Sequence, residues 1–224
     1  IIGGMTPGTT IPYLNELAKH EALADLSGIN VRLDVGVRSP EDAEVPQYVE
    51  RLRRALKVDD KNKRRILLTD LDWAVEKSAD GLDEFDQAAF LLRSALLLER
   101  VGIRPEVSIS NGDFSRIGLG LTYRDSFMVW PHKITLPTLR PKAGWLGLAR
   151  LRKLLAEMSY VAEIDVQDII PQRTRCLLFR WQDGSYAAFS WRNNDPGQLS
   201  FTPTGLAVTE AEDLFGTPMK ADDG

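Results

Sequence analysis

Arg65-Ile66-Leu67-Leu68-Thr69-Asp70-Leu71-Asp72-Trp73 is the stretch that decides the fold of this chain. Its first half, Ile66 to Thr69, is a continuous apolar run, the pattern of a strand buried on both faces. Its second half sets two carboxylates and an indole where that strand ends. Upstream, Ile29, Val31, Leu33 and Val35 alternate as a second strand does. Further upstream, Ile1-Ile2-Gly3-Gly4 reads as the end of a buried strand. Downstream, Val107-Ser108-Ile109-Ser110 reads as a fourth.

Helical patterns lie between these runs. A Gly/Thr/Pro-rich loop from Gly3 leads to Pro12, which is expected to open a helix carrying Tyr13, Leu14, Leu17 and Leu23, stopped by Gly28. Ser39-Pro40-Glu41-Asp42 combines a capping hydroxyl, Pro at the first position and acids in the first turn. Val49, Leu52 and Leu56 follow at helical spacing. Residues 83–100 carry the stripe Phe85, Ala88, Ala89, Leu92 and Leu96, with Gly102 near the stop. The stretch 111–141, with Pro131, Pro137 and Pro141, is expected to be an elaborated loop. Trp145, Leu148, Leu151 and Leu155 mark a last helix.

Strand and helix thus alternate in units of about 30 to 40 residues, which implies parallel strands with helical crossovers. A barrel and a doubly wound open sheet both fit. No G-x-G-x-x-G follows a strand and no G-x-x-x-x-G-K-[ST] occurs, which favours the barrel. From about residue 160 the texture changes to short strands: 161–166, Arg175 to Trp181, Ser185 to Trp191 and Leu199 to Phe201. Asp183-Gly184 is a hairpin turn between two of them. The expected architecture is therefore α/β: a partial (β/α) TIM-type barrel over 1–157, comprising its last four strands, then a small antiparallel β-sandwich-like domain over 158–224.

The chain has 224 residues, 43% hydrophobic and 27% charged, with a net charge of −4. That charge gives no overall field to attract nucleic acid or anionic lipid. The one basic run, Lys61 to Arg65, is short and reads as a solvated loop. No apolar segment approaches the roughly 20 residues of a membrane span. The single cysteine, Cys176, excludes an internal disulfide and reads as a small buried hydrophobe. The opening without Met or a signal-type segment is expected to mark a fragment whose start is missing. Any signal peptide would then lie upstream, so the compartment, cytoplasmic or secreted, stays open.

Chemistry-bearing residues collect at strand ends. The second strand ends at Asp34, the third at Asp70 and Asp72, and the fourth at Asn111-Gly112-Asp113. In a (β/α) barrel those ends form the active-site rim. Convergent carboxylates there suit glycoside hydrolysis or metal-assisted chemistry. Capping and turn formation are the competing role, favoured for Asp34 and Asp113 and evenly matched for Asp70. Trp73, Trp130 and Trp145 could stack on sugar rings, and core packing is the stronger reading for Trp145. Trp181 and Trp191 alternate with apolar residues and are expected in the β-domain core. His20 and His132 belong to no metal-ligand spacing, so no metal and no cofactor is expected.

The stretch 65–73 resembles the strand-seven motif of clan A glycoside hydrolases, particularly family 39-like members, in which an apolar strand ends in Thr and a nucleophilic Glu. Ile1-Ile2-Gly3-Gly4 resembles their fifth strand. Gln87 to Arg93 resembles the helix after the nucleophile. Pro141-Lys142-Ala143-Gly144-Trp145 resembles the segment opening the last barrel helix, with Pro and Lys exchanged. Phe179 to Trp191 and Asp213 to Gly216 resemble the β-domain that follows. The resemblance implies Asp70 as catalytic nucleophile or its remnant, and Trp73, Asp113, Trp130, Asp34 and Asp72 lining a carbohydrate site. It also implies an acid/base Glu in a missing N-terminal half of the barrel.

The departures bear on activity. Asp is one C–C bond shorter than Glu, which withdraws its carboxylate by about 1.5 Å. Such a shift can cost about 10²-fold in rate. Asp72 replaces the family's Gly, and Leu33-Asp34-Val35-Gly36 lacks the family's His and Tyr. Three functions remain open: a glycosidase fragment, a non-catalytic relative that binds carbohydrate or protein, and a generic α/β scaffold. A half barrel exposes strand edges, so self-association is expected.

Overall fold

The computed structural model describes residues 2–5, 7–34, 38–57, 65–73, 83–103, 122–124, 139–164, 174–192, 208–213 and 215–219. The chain forms two compact units, 1–145 and 146–224.

The first unit is α/β. Strands β1 (Ile2–Met5), β2 (Gly28–Asp34) and β3 (Arg65–Asp72) form a parallel sheet in the order β1-β2-β3. Helix α1 (Pro7–Lys19) connects β1 to β2, and α2 (Val45–Ala55) connects β2 to β3. Helix α3 (Glu84–Arg100) follows β3. Three consecutive β/α units account for this order, because each crossover helix returns the chain to start the next strand in the same direction. The expected fourth strand, 107–110, lies outside the described residues.

The apolar pattern explains the packing. Val45, Tyr48, Val49 and Leu52 of α2 recur at helical spacing and are all buried, as is Leu56 just beyond. Each such side chain contributes about 1.5–3 kcal/mol on burial. In β2 and β3, Ile29, Val31 and Leu68 are buried. Gly28 is dictated by strand approach: a Cβ there would lie 2.9 Å from Arg65 Cβ and still closer to the Arg65 carbonyl oxygen.

Several expectations are corrected. The first helix begins at Pro7, not Pro12, so much of the expected loop is helical and Pro12 sits inside α1. Reading Pro as a helix opener placed the start five residues late, and Pro7 is the one that holds that position. Ser39 caps a single turn, its Oγ accepting from Asp42 N–H at 3.2 Å, but α2 proper starts only at Val45. Glu44 interrupts the two with a left-handed φ of 52°. In α3, Phe85 is 66% exposed, whereas Leu91 through Leu98 are buried without interruption. The start of α3 is a capping box: Asp83 Oδ1 accepts from Asp86 N–H at 2.7 Å and Asp86 accepts from Asp83 N–H at 3.2 Å. Within the expected loop 111–141, β4 (Thr122–Arg124) and β5 (Leu139–Pro141) pair antiparallel. Helix α4 (Ala143–Leu155) follows, and the boundary between the units falls within it.

The second unit holds an antiparallel sheet, β6 (Met158–Glu163), β7 (Thr174–Trp181) and β8 (Tyr186–Arg192), in that order. The β7–β8 hairpin turns at Asp183-Gly184, as its sequence predicts. Gly184 has φ +93°, and Asp183 Oδ1 accepts from the Ser185 N–H at 2.9 Å. Tyr160, Phe179 and Phe189 stack edge to face across the sheet, with centroids 5.7 and 5.3 Å apart. Such pairs add about 0.5–1.5 kcal/mol each beyond area burial. Residues 199–201 lie outside the described residues. Near the C-terminus, Asp213 Oδ1 accepts from the N–H groups of Phe215 and Thr217 at 2.8 Å each, closing a loop that is bridged at Glu212 and Pro218.

Candidate functional site at the C-terminal edge of the parallel sheet

The three parallel strands deliver their C-terminal ends to one edge, where open α/β sheets and barrels alike bind their ligands. Backbone register then sets which residues meet. Gly28 to Arg32 pair one for one with Arg65 to Thr69, and Asp34 then pairs with Asp72. Between those points β3 takes three steps while β2 takes two, so an extra residue is accommodated at Asp70–Leu71. The same irregularity occurs in β1, where Ile2 to Met5 spans the length of Ile29 to Val31. Bulges are over-represented beside active sites because they re-aim the chain. Asp34 and Asp72 therefore occupy facing positions on strands about 4.8 Å apart, with Asp70 in the bulge beside them.

Trp73 leaves β3 directly into the interior. It is 1% exposed, edge to face with Phe90 at 6.0 Å, and its indole N–H donates to the Arg38 carbonyl at 2.8 Å. The Trp73 carbonyl accepts from the Gln87 side chain. The indole thus ties the segment after β2 to the segment after β3, and its faces are taken by packing rather than offered to a ligand. Its sequence setting, in an expected rim loop, gave no sign of that enclosure.

A second tie lies alongside. Arg93 of α3 grips Glu41 with a fork: Nε donates to Oε1 at 3.1 Å and Nη2 donates to Oε2. The two side chains are 8% and 6% exposed. Arg93 also lies over the Phe90 ring at 5.2 Å. Planar bidentate pairing is what arginine supplies and lysine does not. Ser39 Oγ donates to Asp42 at 2.8 Å and shapes the turn that presents Glu41. A third tie joins the start of α4 to α3, where Ala143 N–H donates to Glu84 Oε1 at 2.7 Å. Beside it, Lys142 has no exposed surface.

No family model, curated protein or solved structure matches this chain.

The strand-end acids are thus brought to one edge by the backbone: Asp34, Asp70 and Asp72. Asp113 and Trp130 lie outside the described residues. The Glu41–Arg93 pair, Gln87, Glu84 and Lys142 were not singled out as site residues by sequence reasoning. Arg93 sits within the apolar run of α3, and a charged residue flanked by Leu91, Leu92 and Leu96 was the available signal for a buried partner. Among the described residues, no group of three or more His, Cys, Asp and Glu is placed to hold a metal ion. No helix among them is long and apolar enough to cross a membrane. Cys176 is fully buried, and burial raises its thiol above the usual range, which disfavours the thiolate a nucleophile needs.

Proposed function

We propose that the C-terminal edge of the β1-β2-β3 sheet is a carbohydrate site and that this protein is a glycoside hydrolase-like molecule, with Asp70 in the nucleophile position. The observation that carries the reading is the register that sets Asp34 opposite Asp72, with Asp70 in the bulge between. In this reading the three parallel strands belong to a partial (β/α) barrel and the β6-β7-β8 sheet to a β-sandwich-like domain.

A retaining glycosidase attacks the anomeric carbon with one carboxylate while a second carboxyl, about 5–5.5 Å away, protonates the leaving oxygen. Asp70 serves as the first, and the second is supplied from outside the strand ends described above. Asp34, Asp72 and Asp113 accept hydrogen bonds from sugar hydroxyls, and Trp130 supplies a stacking face. Trp73 holds the edge from behind, fixing the spacing of the segments after β2 and β3.

The second reading is a non-catalytic relative that binds carbohydrate or protein. The shorter Asp in place of the family's Glu favours it. Hydrolysis of a panel of aryl glycosides, wild type against Asp70→Ala, separates the two. Turnover by wild type and its loss in Asp70→Ala supports the glycosidase. Equal turnover removes Asp70 from the mechanism. No turnover, with glycan-array binding that Asp70→Ala abolishes, supports the binding module. Neither turnover nor binding ends the carbohydrate reading.

A further inference from the structure

We draw no further inference here: the strongest candidate, the exposed apolar surface of the C-terminal loop that Arg150 holds on α4, where Val208, Phe215 and Met219 are 57%, 41% and 58% exposed, carries nothing because nothing in the structure shows what covers it.

Discussion

Replacing Arg93 by Met exposes the energetics of the edge most sharply. The substitution keeps much of the apolar bulk and removes the guanidinium that satisfies Glu41. The Glu41 side chain is 6% exposed, so its carboxylate is left inside without its cation. Breaking one partner out of a buried pair costs about 3–5 kcal/mol. Loss of the cation above Phe90, 5.2 Å from the ring centroid, adds to that. Against a total of about 5–15 kcal/mol for a typical protein, this is roughly a fifth or more of the stability. For a chain of this size about 2–4 °C of Tm is lost per kcal/mol, so Tm falls by roughly 6–20 °C. The double variant Arg93→Met/Glu41→Leu removes both charges and returns to within about 1–2 kcal/mol of wild type, because the penalty lies in the stranded carboxylate. Urea unfolding followed by circular dichroism, with Tm alongside, measures both. A single variant costing under about 1 kcal/mol, or a double variant no better than the single, would refute a buried pair at this position.

Gly28→Ala is expected to destabilise by about 1–3 kcal/mol, since the new methyl meets Arg65 backbone and β2 cannot move away without breaking the ladder; the urea midpoint reports it. Trp73→Phe keeps the ring packing and drops the indole donor, leaving the Arg38 carbonyl without that bond at a cost of about 1–2 kcal/mol, checked by the same unfolding curve. Asp213 is held below the usual carboxylate range by the Thr217 N–H, with further bonds from Phe215 and Gly216. A folded-state value below the unfolded one stabilises above the unfolded value, near 3.8, and that contribution is lost as pH falls through the lower folded value. Urea midpoints between pH 7 and pH 2 are therefore expected to fall less steeply at the acid end in Asp213→Asn than in wild type.

The sequence revealed strand and helix types better than boundaries or enclosure. The alternation of Ile29 and Val31 and the apolar run Ile66 to Leu68 located β2 and β3 because strand periodicity is a local property. Their parallel pairing followed from the intervening helical pattern, since a crossover helix leaves few other arrangements. Boundaries slipped where one signal had two meanings. Pro7 and Pro12 both suit a helix start, and the geometry gave that role to the first. Ser39 capped a turn that Glu44, in a left-handed conformation, then broke. Burial slipped where it depends on several elements at once. Phe85 fits the apolar stripe of α3 yet is exposed, while Arg93 is enclosed because Glu41 comes to meet it from 52 residues away. The same holds for Trp73, whose partners Arg38 and Gln87 are distant in sequence. The acids of the edge were legible as strand-end residues, but their register was not, because the bulge at Asp70–Leu71 changes the pairing without leaving a mark in composition.

The facing positions of Asp34 and Asp72 underlie everything proposed for this edge, and cross-linking measures them directly. In a Cys176→Ser background, the pair Asp34→Cys/Asp72→Cys is treated with dibromobimane, which fluoresces on bridging two thiols. The control is Asn30→Cys/Asp72→Cys, displaced along β2 by four residues, about 13 Å. The account predicts rapid bridging at 34 and 72 and none at 30 and 72. Bridging of the control pair, or equal failure of both, would contradict it.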